Sequence, residues 1–104
     1  MKGVYKFQMD YGRSGFVEGI FVEDSERVEN IIGRNVYFGE ILGKHSEVQE
    51  TMVEDYFILI TDDQKVVSDF EKYGFTSGID PFYYLDEQEH NEYEDEDIAD
   101  EIID

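Results

Sequence analysis

The sequence predicts an α+β domain, and three observations carry that reading. Residues 4–22 alternate apolar and polar side chains on either side of a glycine-bearing turn. An unbroken apolar run, Tyr56-Phe57-Ile58-Leu59-Ile60, leads directly into an acidic cap and an amphipathic helical pattern. Eight Phe, eight Tyr and 40% hydrophobic residues supply a core despite 34% charge. The elements read in the order ββαβββα: an antiparallel or mixed sheet of about five strands, two helices on one face of it, and then an acidic, helical or disordered end. A chain of 104 residues holds one such core and no second one.

The first strand spans 4–9, with Tyr5, Phe7 and Met9 on one face and Lys6 and Gln8 on the other. Asp10 to Gly15 is turn chemistry, and Phe16 to Val22 returns as the second strand of a hairpin. Asp24 or Ser25 caps a short helix with Val28, Ile31 and Ile32 inward, and Gly33 stands where a left-handed residue ends it. Asn35 to Leu42 and Ser46 to Val53 form the third and fourth strands about the turn Gly43-Lys44-His45. Tyr56 to Ile60 is expected as the central strand, with Phe57, Ile58, Leu59 and Ile60 buried. Thr61-Asp62-Asp63 caps a second helix that buries Val66, Val67 and Phe70, runs through Tyr73 and ends at Gly74. Phe75 to Gly78 reads as a connection or short strand, and Pro81 holds Asp80 extended before the aromatic segment Phe82 to Leu85. Residues 20–32 and 58–70 repeat a strand, acidic cap and helix, a pattern that either a duplication or any strand-to-helix junction produces.

The net charge of −19 is unevenly placed. Residues 1–72 hold fifteen acids and eight bases, whereas 73–104 hold twelve acids and no base. Direct binding to nucleic acid or to an anionic membrane is therefore disfavoured, because each phosphate contact begins with repulsion. A basic partner is favoured. The absence of cysteine removes disulfides and thiolate metal sites, and no stretch has the length of a signal-peptide core or a membrane span; a cytoplasmic protein is expected.

The catalytic and cofactor signatures fail on spacing. The run Gly39-Glu40-Ile41-Leu42-Gly43-Lys44-His45-Ser46 has its glycines too close for a phosphate loop, His45 intervenes before Ser46, and a strand pattern follows where a helix is needed. Gly12-Arg13-Ser14-Gly15 also lacks the following helix. Residues 86–104 contain no glycine and no EF-hand spacing, and His90 with Glu89, Glu92 or Glu94 falls short of a metal ligand set. With no cysteine, two histidines and no serine in a nucleophile turn, no enzyme, cofactor or metal is expected.

What remains is the acidic surface. Residues 1–85 are expected as the folded domain and 86–104 as an acidic C-terminal segment. Its carboxylates, Asp86, Glu87, Glu89, Glu92, Glu94, Asp95, Glu96, Asp97, Asp100 and Glu101, together with Tyr83 and Tyr84, are the candidate partner-binding residues. If 91–103 is helical, Glu92, Glu94, Asp95, Glu96, Asp97, Asp100, Glu101 and Asp104 form a row about 5–6 Å apart, with Ile98, Ile102 and Ile103 docking it.

Small size, a single domain and a one-sided negative field resemble the DNA-mimic inhibitors that phages and mobile elements direct against restriction, CRISPR and other nucleic-acid enzymes. The resemblance lies in charge and size, and no motif of a family carries it. It implies a basic partner, a nucleic-acid-binding protein or nuclease complex, whose phosphate-binding groove the acids would fill. The competing expectation is an interaction or structural module that uses a sheet edge or the Tyr83-Tyr84 patch, with the acids serving solubility.

Overall fold

The computed structural model of the chain describes residues 1–90. Two antiparallel sheets and three helices make up an α+β fold, so the expected class holds while the strand order differs. Strands β1 (Lys2–Asp10) and β2 (Phe16–Asp24) form the expected hairpin, joined by a 3-10 turn over Gly12–Ser14. Helix α1 (Ser25–Ile31) follows, capped by Asp24, whose carboxylate accepts the Glu26 amide at 2.9 Å. Strands β3 (Asn35–Gly39) and β4 (Val48–Thr51) pair only with each other as a second sheet. Strand β5 (Phe57–Thr61) leads into α2 (Gln64–Tyr73), which Asp63 caps at 2.9 Å and a left-handed Gly74 ends. Strand β6 (Ser77–Gly78) pairs with β2, and a last helix, α3, occupies 81–90.

The main sheet runs β5-β1-β2-β6, which makes β1 and β2 the inner strands and places β5 at an edge. The central position expected for Tyr56 to Ile60 is thus corrected. Ile58, Leu59 and Ile60 are 43%, 50% and 50% exposed, and Phe57 alone of the four turns toward the core. The physical reason lies in β1. Its Tyr5, Phe7 and Met9 face one way and the buried Val4 the other, so β1 is covered on both sides and an apolar β5 need only flank it.

Tyr5, Phe7, Met9, Val17 and Phe21 present one sheet face to α1, the β3–β4 hairpin and α3, which contribute Ile31, Val36, Phe38, Val48, Met52, Phe82 and Leu85. Phe7, fully buried, lies against the rings of Phe38, Tyr56 and Phe57 with centroids 5.2–6.3 Å away. Val4 and Val67, buried outside that cluster, mark where α2 covers the opposite face. The two sequence-predicted helices therefore sit on opposite faces rather than one. The strand-cap-helix pattern does occur twice, once centrally and once at an edge.

The third and fourth strands are shorter than the expected 35–42 and 46–53. Gly39 takes a positive φ of 73°, and Ile41 and Leu42 leave the ladder to pack against the core end, with Leu42 against Gly15. Val66 and Phe70 are half-buried, and Ile32, one residue past the end of α1, is exposed.

One backbone crossing sets the course of the chain into α3. The Ile79 amide donates to the Glu18 carbonyl at 3.0 Å, and the backbone of Ile79 passes directly over Gly19. A Cβ at Gly19 would run into that backbone, which no side-chain rotation can relieve. Gly19→Ala should therefore destabilise the fold by about 1–3 kcal/mol, the cost of overpacking a closed contact. Urea unfolding checks this: the midpoint should fall, and an unchanged midpoint would show that the crossing is loose.

Candidate binding surface

Helix α3 fixes the start of the acidic segment. Asp80 is its N-cap, accepting the Phe82 amide on its carboxylate at 2.9 Å, and Pro81 occupies the first helical position, where a missing N–H costs nothing. Phe82 and Leu85, three residues apart, are buried on one face of the helix. Phe82 meets Phe21 edge-on at 5.7 Å and Phe57 at 6.2 Å, while the Arg27 guanidinium lies 5.1 Å over its ring. No helix is expected over 81–85 from the sequence, yet Asp80-Pro81 followed by Phe82 and Leu85 is helix-start grammar that the aromatic composition obscured; the conditional helix at 91–103 lies outside the described residues.

Arginines on and just after α1 hold the acids nearest the body. Arg27 bonds Asp86 at 2.9 Å and approaches Glu23 at 2.7 Å, and Arg34 bonds Glu89 at 2.7 Å. All of these pairs are partly exposed and individually weak, so their main effect is orientation. Gln88 adds a polar clasp: its side-chain carbonyl accepts the Tyr37 amide at 3.0 Å and its amide donates to the Asn35 carbonyl at 3.4 Å, covering the outer edge of β3.

Among the candidate residues, Asp86 and Glu89 thus face the chain's own arginines, and Tyr84 is half-buried against Phe38 at 5.2 Å. Tyr83 and Glu87, four apart, share the outward face. The charge of Glu87 holds the Tyr83 phenol above its ordinary pKa. Glu92, Glu94, Asp95, Glu96, Asp97, Asp100 and Glu101, with the Ile98, Ile102 and Ile103 stripe, lie outside the described residues. Residues 85 and 86 share one helix.

The two glycine turns read for phosphate binding lead into β2 and β4, not into helices. Tyr11, beside the first turn, donates to Glu50 at 2.8 Å; burial and that carboxylate hold its proton tightly. Among the described residues no group of three or more His, Asp or Glu is arranged to hold a metal ion, and no helix is long and apolar enough to cross a membrane.

A second surface escaped the sequence reading. Beside β5 lies an open groove of about 380 Å³, lined by Tyr5, Val28, Ile32, Phe57 and Leu59 with Glu29 and Glu54. An apolar run bracketed by Glu54-Asp55 and Asp62-Asp63 was the available signal, but a run of that kind fits a buried strand equally well. No family model, curated protein or solved structure matches the chain, so its function is argued from these surfaces alone.

Burial raises the carboxyl pKa of Glu23 above 4.5 despite the opposing charge of Arg27, and raises that of Asp80 above 3.8 despite its two backbone hydrogen bonds. The folded state then holds these protons more tightly than the unfolded chain, so stability grows as pH falls from 7 through the folded values toward 4.5 and 3.8. Asp24 is shifted the other way, lowered first by the Glu26 amide, and its contribution is lost only below its ordinary value of 3.8. Urea midpoints at constant ionic strength should therefore rise from pH 7 to about pH 5. A steady fall over that range would contradict the assignment.

Proposed function

We propose that this chain is a non-catalytic binding protein of the cytoplasm that lays its acidic C-terminal surface in the phosphate-binding groove of a basic nucleic-acid-binding protein or nuclease complex. It would inhibit that partner by standing in for the charge of DNA or RNA. The observation that carries the reading is the mounting of α3: the acidic segment begins on a capped helix pinned by Phe82, Leu85 and two arginines. Asp86, Glu87 and Glu89 on this helix thereby have a defined position relative to the body, which a mimic of a regular phosphate array needs and a solubility tail does not. Asp86 and Glu89 hold the mount, leaving Glu87, Tyr83 and the acids beyond residue 90 to meet the partner.

Complementary fields chiefly raise the association rate, and they do so less as salt increases. A second reading, an interaction module that takes its partner at a sheet edge, is favoured by the exposed apolar β5. Replacing Glu94, Asp95, Glu96 and Asp97 together by Gln or Asn keeps side-chain size and removes four charges. On partners captured from a host lysate, this variant should associate on the order of tenfold more slowly, with unchanged circular dichroism. An unchanged association rate would set the mimic reading aside in favour of the module.

A further inference from the structure

We infer that the outer edge of β5 is a strand-addition site for an extended protein segment, apolar in the middle and carrying Lys or Arg at both ends. The inference rests on the interaction-module reading and does not involve α3. Three observations carry it.

Among the described residues, parts of the outer sides of β2 and β3 are covered, and most of the outer side of β5 is not. Strand β6 pairs along β2, and Gln88 takes the outer Tyr37 amide and Asn35 carbonyl of β3 as a neighbouring strand would. On the outer side of β5 the Phe57 amide turns back to the Glu54 carbonyl, and no described residue hydrogen-bonds the outward backbone groups of Leu59. An open edge is normally protected by an inward charge, a proline or a lysine on the strand, and Phe57-Ile58-Leu59-Ile60-Thr61 has none of these. A bulge at Ile60 bends the top of the strand and leaves Phe57 to Leu59 as its regular portion.

The surface beside the edge is built to receive alternate side chains. Leu59 and Phe57 lie on the Tyr5 side, where the groove continues to Val28 and Ile32, and Ile58 lies on the Lys6 side. An added strand would place every second residue in that groove.

Charge then selects the occupant. Glu54 and Asp55 precede the strand, Asp62 and Asp63 follow it, and Glu29 stands at the groove. A second copy paired antiparallel about Leu59 would set Asp63 opposite Asp55 at both ends, like charge on like. The chain's own residues 91–104 carry eight acids and no base and meet the same repulsion. A segment with basic ends places opposite charges there instead.

The test uses the full chain and a labelled peptide, Lys-Arg-Val-Ile-Val-Ile-Lys-Arg, beside a control in which the two central residues are proline. The control keeps the charge but cannot form a ladder. The first peptide should bind at least tenfold more tightly than the control and slow hydrogen exchange of the 57–61 amides. Leu59→Glu adds negative charge, yet should weaken that binding at least tenfold; Leu59→Thr, β-branched and polar, serves the same purpose should the glutamate unfold the chain. Equal binding of the two peptides, no binding of either, or unaltered binding by the Leu59 variants would overturn the proposal. Sedimentation showing a dimer that the Leu59 variants dissolve would overturn it in favour of a second copy. Because none of these readouts involves residues 94–97, failure here leaves the mimic reading untouched.

Discussion

The burial of Phe82 is the contact on which the acidic end of this protein depends. The last third of the chain has no base and meets a body that is itself net negative, so its two exposed ion pairs, with Arg27 and Arg34, supply little of what brings it back. Burying one Phe side chain supplies about 1.5–3 kcal/mol, several times what an exposed ion pair contributes. The ring reaches its pocket because Gly19 and Gly78 let the backbone of β6 and Ile79 lie against β2, and because Asp80-Pro81 starts a helix as soon as that crossing is made. Once Phe82 and Leu85 are seated, Asp86 and Glu89 arrive beside Arg27 and Arg34 and Gln88 arrives at β3.

That arrangement divides the labour of charge. Arg27 serves Glu23, Asp86 and the face of Phe82 at once, so a single cation faces two acids and caps an apolar contact. The remaining acids repel one another across a body only a few Debye lengths wide, and the protein tolerates this because its apolar core lies between two covering layers. The β5 edge offers a different chemistry, outward backbone groups and apolar side chains, with acids before and after the strand.

Local grammar was legible in the sequence. The hairpin of β1 and β2, the caps at Asp24 and Asp63 and the stop at Gly74 all follow from periods and residue preferences that act within a few residues. What could not be read was which strand lies in the middle. The run at 57–60 is more apolar than β1, but centrality is decided by what covers each face, and that depends on contacts distant in sequence, such as α2 over Val4. The same limit applies to α3. Its cap was visible in Asp80-Pro81, whereas the ion pairs that orient it join residues 59 and 55 apart, and no local pattern announces them. Of the candidate partner-binding residues, the charge of the segment was legible; that Asp86 and Glu89 pair with arginines and Tyr84 packs inward, while Tyr83 and Glu87 lie on the open face, followed only from the docked helix.

Competition on the captured partner tests the central claim most directly. A labelled duplex DNA or RNA that the partner binds is titrated with the full chain, and ternary species are sought by native mass spectrometry at the same salt concentration. The mimic account predicts that the nucleic acid is displaced one for one, with no species containing all three components. A stable complex holding partner, nucleic acid and this protein together would contradict it.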